Sequence, residues 1–110
     1  MYMASSNRTG LGIKKKRSQQ VLKTSIDILT EYSLWSKEEN EDSFLAMRDL
    51  YAIVYDEWRE TNRQVSFTTK EFSSLLASHV RNPLEGFTKL EKHRKVNKYG
   101  VREMHYKVME

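Results

Sequence analysis

The sequence predicts a mainly helical domain closed by a small β-hairpin. Three observations predict it. Apolar residues recur at helical spacing in two stretches between Ser18 and Asn62, a capped short helix follows Thr68, and the spacing switches to period two after Lys95. The 110 residues suffice for one modest core.

Taken in order, residues 1–17 hold two of the four glycines and no apolar periodicity, which predicts a flexible basic arm before a domain over 18–110. Its cluster Lys14, Lys15, Lys16 and Arg17 suits phosphate contact, a nuclear address or a solubilising tail. Ser18 is a candidate N-cap for a helix whose stripe is Leu22, Ile26, Leu29 and Tyr32, ending near Trp35. The polar run Lys37–Asp42 is then a connection, or the acidic first turn of the next helix. Over Ser43–Asn62, Phe44, Met47, Leu50, Tyr51, Val54 and Trp58 fall on one helix face. Leu45, Ala52, Ile53 and Tyr55 widen that face, as expected of a central helix with partners on two sides.

Arg63–Phe67 alternates briefly and predicts a short strand or extended connection. Thr68 and Glu71 have capping-box spacing, in which each side chain satisfies a backbone N–H that the helix start leaves unpaired. The helix they open buries Phe72, Leu75 and Leu76 and ends near Ser78 or His79, with Phe67 placed for a hydrophobic staple. Asn82 as a cap and Pro83 at the first helical position predict a second short helix with Leu84, Phe87 and Leu90 on its apolar side. Gly86 within it costs about 1 kcal/mol against alanine. From Val96 the chain extends, turns over Asn97–Gly100 and returns as a strand, with Met104, Tyr106 and Val108 on one side and Glu103, His105 and Lys107 on the other.

Charge is segregated along this order. Residues 1–23 carry six basic and no acidic groups, residues 24–62 three basic and ten acidic, and residues 63–110 ten basic and five acidic. Basic charge gathered at the ends favours a polyanion partner, where interspersed charge would only aid solubility.

The segment FTTKEFSSLL, the following NPLEGFTKLEKH and the hairpin HRKVNKYGVREMHYKV, about two thirds of the chain with the long helix before them, resemble the winged helix-turn-helix superfamily. The resemblance implies a second helix, near 82–93, that enters a DNA major groove, and a wing near 94–108 on the backbone or in the minor groove. Arg81, Asn82, Glu85, Thr88, Lys89 and Lys92 avoid the apolar side of that helix and could reach a groove, while Asn82 also serves simply as a cap. Arg94, Lys95, Lys98 and Arg102 would neutralise phosphates, and Tyr99 could stack at the tip. Gly86 and the turn before the second helix depart from the family's usual pattern.

Double-stranded DNA is therefore the expected partner. A homodimer through the N-terminal helices is expected to present two recognition helices to adjacent half-sites. The roles that fit are transcriptional regulation, or an accessory part in replication or segregation of a small genome. The alternative is a winged-helix adaptor that binds a protein partner, with Trp35 and Trp58 as anchors or as ordinary core residues.

Other classes find little support. No cysteine is present, His79, His93 and His105 lack metal-ligand spacing, and no glycine-rich phosphate loop occurs, so no enzyme activity, metal or cofactor is expected. Pairs such as Glu38–Glu39 and Asp56–Glu57 lie in charged helix-like runs, where a solvated face is the ordinary explanation. No run approaches the ~20 apolar residues of a membrane span and no apolar stretch follows the first basic residues, which predicts an intracellular protein of the cytoplasm, nucleoid or nucleus.

Overall fold

The computed structural model describes residues 2–61 and 67–109, with the backbone alone described for 2–16 and 61. Helix α1 (Tyr2–Glu38) is followed by a two-residue strand β1 (Leu45–Ala46), helices α2 (Met47–Thr61) and α3 (Thr69–Arg81), and strands β2 (Leu90–Val96) and β3 (Arg102–Val108). The strands form one antiparallel sheet in the order β1-β3-β2, and the helices pack against one of its faces. Among the described residues the result is three helices with a small three-stranded sheet. No helix among the described residues is long and apolar enough to cross a membrane.

Helix α1 extends beyond both expected ends. Its backbone takes in residues 2–17, where a flexible arm was predicted; the side chains of Lys14, Lys15 and Lys16 lie outside the described set. At its other end it continues past Trp35 and closes in a Schellman motif. Asn40 takes φ +56°, the Glu41 N–H donates to the Ser36 carbonyl and the Asn40 N–H to Lys37. The buried Ser36 hydroxyl donates back to the Ser33 carbonyl and meets the Ser43 hydroxyl at 2.7 Å, fixing the chain's exit toward β1.

The core unites Leu22, Ile26 and Leu29 of α1, Leu50, Val54 and Trp58 of α2, and Phe72 and Leu76 of α3 over Tyr106 and Val108. Burying each aliphatic or aromatic chain stabilises the fold by about 1.5–3 kcal/mol. Phe67 is the hub of an aromatic cluster. Its ring lies 5.4–6.0 Å from those of Tyr51, Tyr55, Trp58 and Phe72, and its carbonyl accepts the Tyr51 hydroxyl at 2.8 Å. Trp58 is thus a core residue, whereas Trp35 is half exposed.

Two segments depart from expectation. Leu45 and Ala46 pair with Tyr106 and His105 as a strand, so α2 starts at Met47 and Phe44 is not on its apolar face. The larger departure is that no helix forms near 82–93. Asn82–Lys89 is a turn-rich connection, and Leu90–Val96 is β2. Asn82 caps the end of α3, its N–H donating to the Ser78 carbonyl at 2.8 Å, and Pro83 follows where a helix cannot continue. Gly86 sits at φ +86° in the turn closed by the Phe87 N–H on the Leu84 carbonyl, a conformation natural to glycine. Of the extended segment expected at Arg63–Phe67, only Phe67 falls within the described residues.

Candidate nucleic-acid interface

The start of α3 is built as its sequence demands. The Glu71 N–H donates to the Thr68 hydroxyl at 3.1 Å and the Thr68 N–H to the Glu71 carboxylate at 2.9 Å. Phe67 and Phe72 close the staple with ring centroids 5.9 Å apart. These contacts fix the rotation of the helix. Phe72, Leu76 and His79 turn inward, and Lys70, Ser74, Ala77, Ser78 and Arg81 line the opposite side at spacings of three and four. Lys70 and Arg81 stand about 16 Å apart along the axis, with short side chains between them. A helix with such small residues can bring its backbone close to a groove, with a cation at each end for phosphate. Glu71 lies at the margin of this face, held by the capping box and by Arg17 at 3.6 Å.

His79 of α3 clasps the connection beyond the helix. Its Nδ1 accepts the Leu84 N–H at 3.1 Å, which leaves the proton on Nε2 to donate to the Thr88 carbonyl at 2.8 Å. Phe87 packs on the ring edge-on at 6.3 Å. This buried imidazole therefore sets how the chain passes from α3 into β2.

The hairpin then sorts its cations between two faces. Directly opposed residues share a face, so Leu90, Lys92, Arg94 and Val96 align with Val108, Tyr106, Met104 and Arg102. Tyr106, Val108 and Leu90 are buried against the helices, which makes this the helix side. On it Lys92, Arg94 and Arg102 remain exposed, the first two on the edge strand that α3 contacts. The tip is built by Asn97. Its side-chain oxygen accepts the Tyr99 and Val101 N–H groups at 2.9 and 3.0 Å, its N–H donates to the Val101 carbonyl, and Gly100 follows at φ +81°. Lys98 and Tyr99 stand out from this tip, Tyr99 71% exposed and the Lys98 ammonium 5.2 Å from its ring.

The other sheet face is internally neutralised. Lys95 forms an ion pair with Asp42 and lies 4.3 Å from the Phe44 ring centre, and Lys107 pairs with Glu91 at 3.6 Å and approaches the same ring at 5.2 Å. Burial pushes the Asp42 carboxyl up, but its hydrogen bonds to Lys95 and the Phe44 N–H outweigh that and hold it below the usual carboxylate range. His93 meets Phe44 edge-on at 4.8 Å. His105 is buried at the centre of the sheet opposite both Ala46 and His93, with Nδ1 3.0 Å from the Glu103 carbonyl.

Of the residues that sequence pointed to, Arg81 thus lies on the outward side of α3, Lys92, Arg94 and Arg102 are exposed on the helix-bearing face of the sheet, and Lys98 and Tyr99 stand at the tip. Lys95 turns to the far face. Asn82, Glu85, Thr88 and Lys89 are exposed in the connection, and Arg17 bridges to Glu71. Sequence reasoning missed Lys70, Ser74, Ala77 and Ser78, although the capping box and the buried Phe72 and Leu76 already determine that these positions face outward. Among the described residues no group of three or more histidines and carboxylates could hold a metal ion. No protein-family model, no curated protein and no solved structure matches this chain.

Proposed function

We propose that this chain is a winged helix-turn-helix protein that binds double-stranded DNA. Helix α3 lies in the major groove and the β2–β3 hairpin serves as the wing. The succession helix, strand, two helices and a hairpin that completes a three-stranded sheet follows the plan of that fold. The recognition helix is then α3, one element earlier than the resemblance in sequence implies.

One observation carries the reading: the outward face of α3 is cationic at both ends and small between, and α3 packs on the edge strand β2, whose Lys92 and Arg94 are exposed on the helix side. Arg81 can donate two parallel hydrogen bonds to guanine, the Ala77 methyl can meet thymine, and Ser74 and Ser78 can donate to bases or phosphates. Arg94 and Arg102 neutralise phosphates flanking the groove.

Fluorescence anisotropy of a labelled random duplex, titrated with protein between roughly 50 and 200 mM salt, tests this. Affinity that falls steeply and linearly on logarithmic axes, and that weakens in Arg81→Ala at every salt concentration, supports the proposal. Absence of binding at the lowest salt overturns it.

A further inference from the structure

A cavity of about 370 Å³ lies between α1 and the connection that follows α3. That is within the roughly 300–1,000 Å³ of small-ligand sites. Lys23, Ile26 and Asp27 line it from α1, and Gly86, Phe87 and Thr88 line it from the connection. Ile26 is buried and Phe87 half-buried, so together they give an apolar floor, while Lys23 and Asp27 are exposed. At Gly86 nothing lies within 4 Å of where a side chain would begin, so the space beside the connection is clear there.

The two charges select the occupant. Lys23 and Asp27 are one helical turn apart, about 6 Å along the axis, yet neither forms an ion pair among the described residues. Lysine ahead of aspartate is the less favourable order for pairing along a helix, so both charges remain open to a ligand. A purely anionic ligand would be repelled by Asp27, and a purely cationic one by Lys23. A ligand that carries both charges at one end of an apolar body meets neither penalty. Its carboxylate lies toward Lys23, its ammonium toward Asp27, and its apolar part over Ile26 and Phe87.

We infer that this cavity binds a free amino acid with an apolar side chain. The occupant rests on Phe87, which packs edge-on against His79, and beside Thr88, whose carbonyl accepts the His79 Nε2 proton. It therefore braces the connection that joins α3 to β2. The binding does not depend on the DNA reading, and its failure would leave that reading standing.

The test is a titration of the isotope-labelled full chain with L-phenylalanine, without DNA, following backbone amide shifts. Saturable shifts on Lys23, Asp27, Gly86 and Thr88 are expected, with a dissociation constant of about 1 mM or below. 2-Phenylethylamine and 3-phenylpropionate, which each lack one charge, should bind about fivefold more weakly. Lys23→Gln and Asp27→Asn should each weaken phenylalanine by a similar factor. Lys23→Gln should not weaken 2-phenylethylamine, which has no carboxylate, a selectivity that a folding defect cannot imitate. Saturating phenylalanine should also slow hydrogen exchange of the Leu84 amide, which His79 accepts. No saturable shift up to about 20 mM phenylalanine overturns the inference. Equal binding of the three ligands overturns it too, and unchanged Leu84 exchange at saturation overturns the bracing.

Discussion

The two faces of the β2–β3 hairpin carry similar numbers of basic residues and put them to different uses. On the outer face Lys95 and Lys107 are each held by a carboxylate and share the Phe44 ring, so their charge is spent on joining β1, β2 and β3. On the helix side Lys92, Arg94 and Arg102 stay exposed. Alternation along a strand separates neighbours in sequence, and Arg94 and Lys95 lie on opposite faces because they are adjacent. A basic stretch therefore predicts a polyanion contact only through the residues whose charge the fold leaves open.

The largest effect that would break this contrast belongs to the exposed face. Arg94→Glu combined with Arg102→Glu should lower duplex affinity by 100-fold or more, on the order of 3 kcal/mol, and flatten the salt dependence by about one logarithmic slope unit per lost contact. Anisotropy measures both, and the thermal midpoint should be unchanged. Comparable loss from Lys95→Glu would show that the faces do not differ as described.

Next in size is His79→Ala, which removes the clasp between α3 and β2 and leaves the Leu84 N–H and the Thr88 carbonyl without their partner. Urea unfolding should show about 2–4 kcal/mol of destabilisation. DNA affinity measured under folding conditions should fall as well, because the edge strand loses its seat beside α3. Smaller again is Gly86→Ala. Nothing lies within 4 Å of the added methyl, so the cost is that of φ +86° alone, about 1–2 kcal/mol by the same assay.

The smallest effect is that of Lys95→Ala. The pair with Asp42 is solvent-exposed and is worth about 0.2–1 kcal/mol, with less than a twofold change in DNA affinity expected. Its pH dependence has a definite sign. The folded Asp42 titrates below its unfolded value, so the pair's contribution is present above the ordinary carboxylate range and fades as pH falls through the lowered value. The variant should therefore lose stability relative to the parent at neutral pH and converge with it in acid, by thermal denaturation at a series of pH values.

Where sequence could and could not foresee the molecule is clearest at the two ends of α3. Its start was legible because a capping box and a staple are local: Thr68, Glu71, Phe67 and Phe72 lie within six residues and need no tertiary partner. Its end was not, because Asn-Pro opens a helix as readily as it follows one, and the apolar spacing of Leu84, Phe87 and Leu90 serves a turn and a buried strand start equally well. What decides is His79, whose bonds to Leu84 and Thr88 fold the connection, and nothing local announces that pairing. Strand β1 was hidden for a similar reason. Leu45 and Ala46 continue a helical pattern and become strand only through Tyr106 and His105, some sixty residues later. The helix-side cations Arg94 and Arg102 were named from sequence, and the outward face of α3 was not, because attention fell on a helix near 82–93 that is instead a connection and β2.

The most direct test of the central claim is a titration of isotope-labelled protein with a short duplex, following backbone amide shifts by two-dimensional NMR. The account predicts that perturbations gather on Lys70, Ser74, Ala77, Ser78 and Arg81 of α3 and on Lys92, Arg94 and Arg102, leaving Lys95, Lys107 and Phe44 unmoved. Perturbations centred on the outer sheet face, or on Asn82–Lys89 with α3 silent, would contradict it.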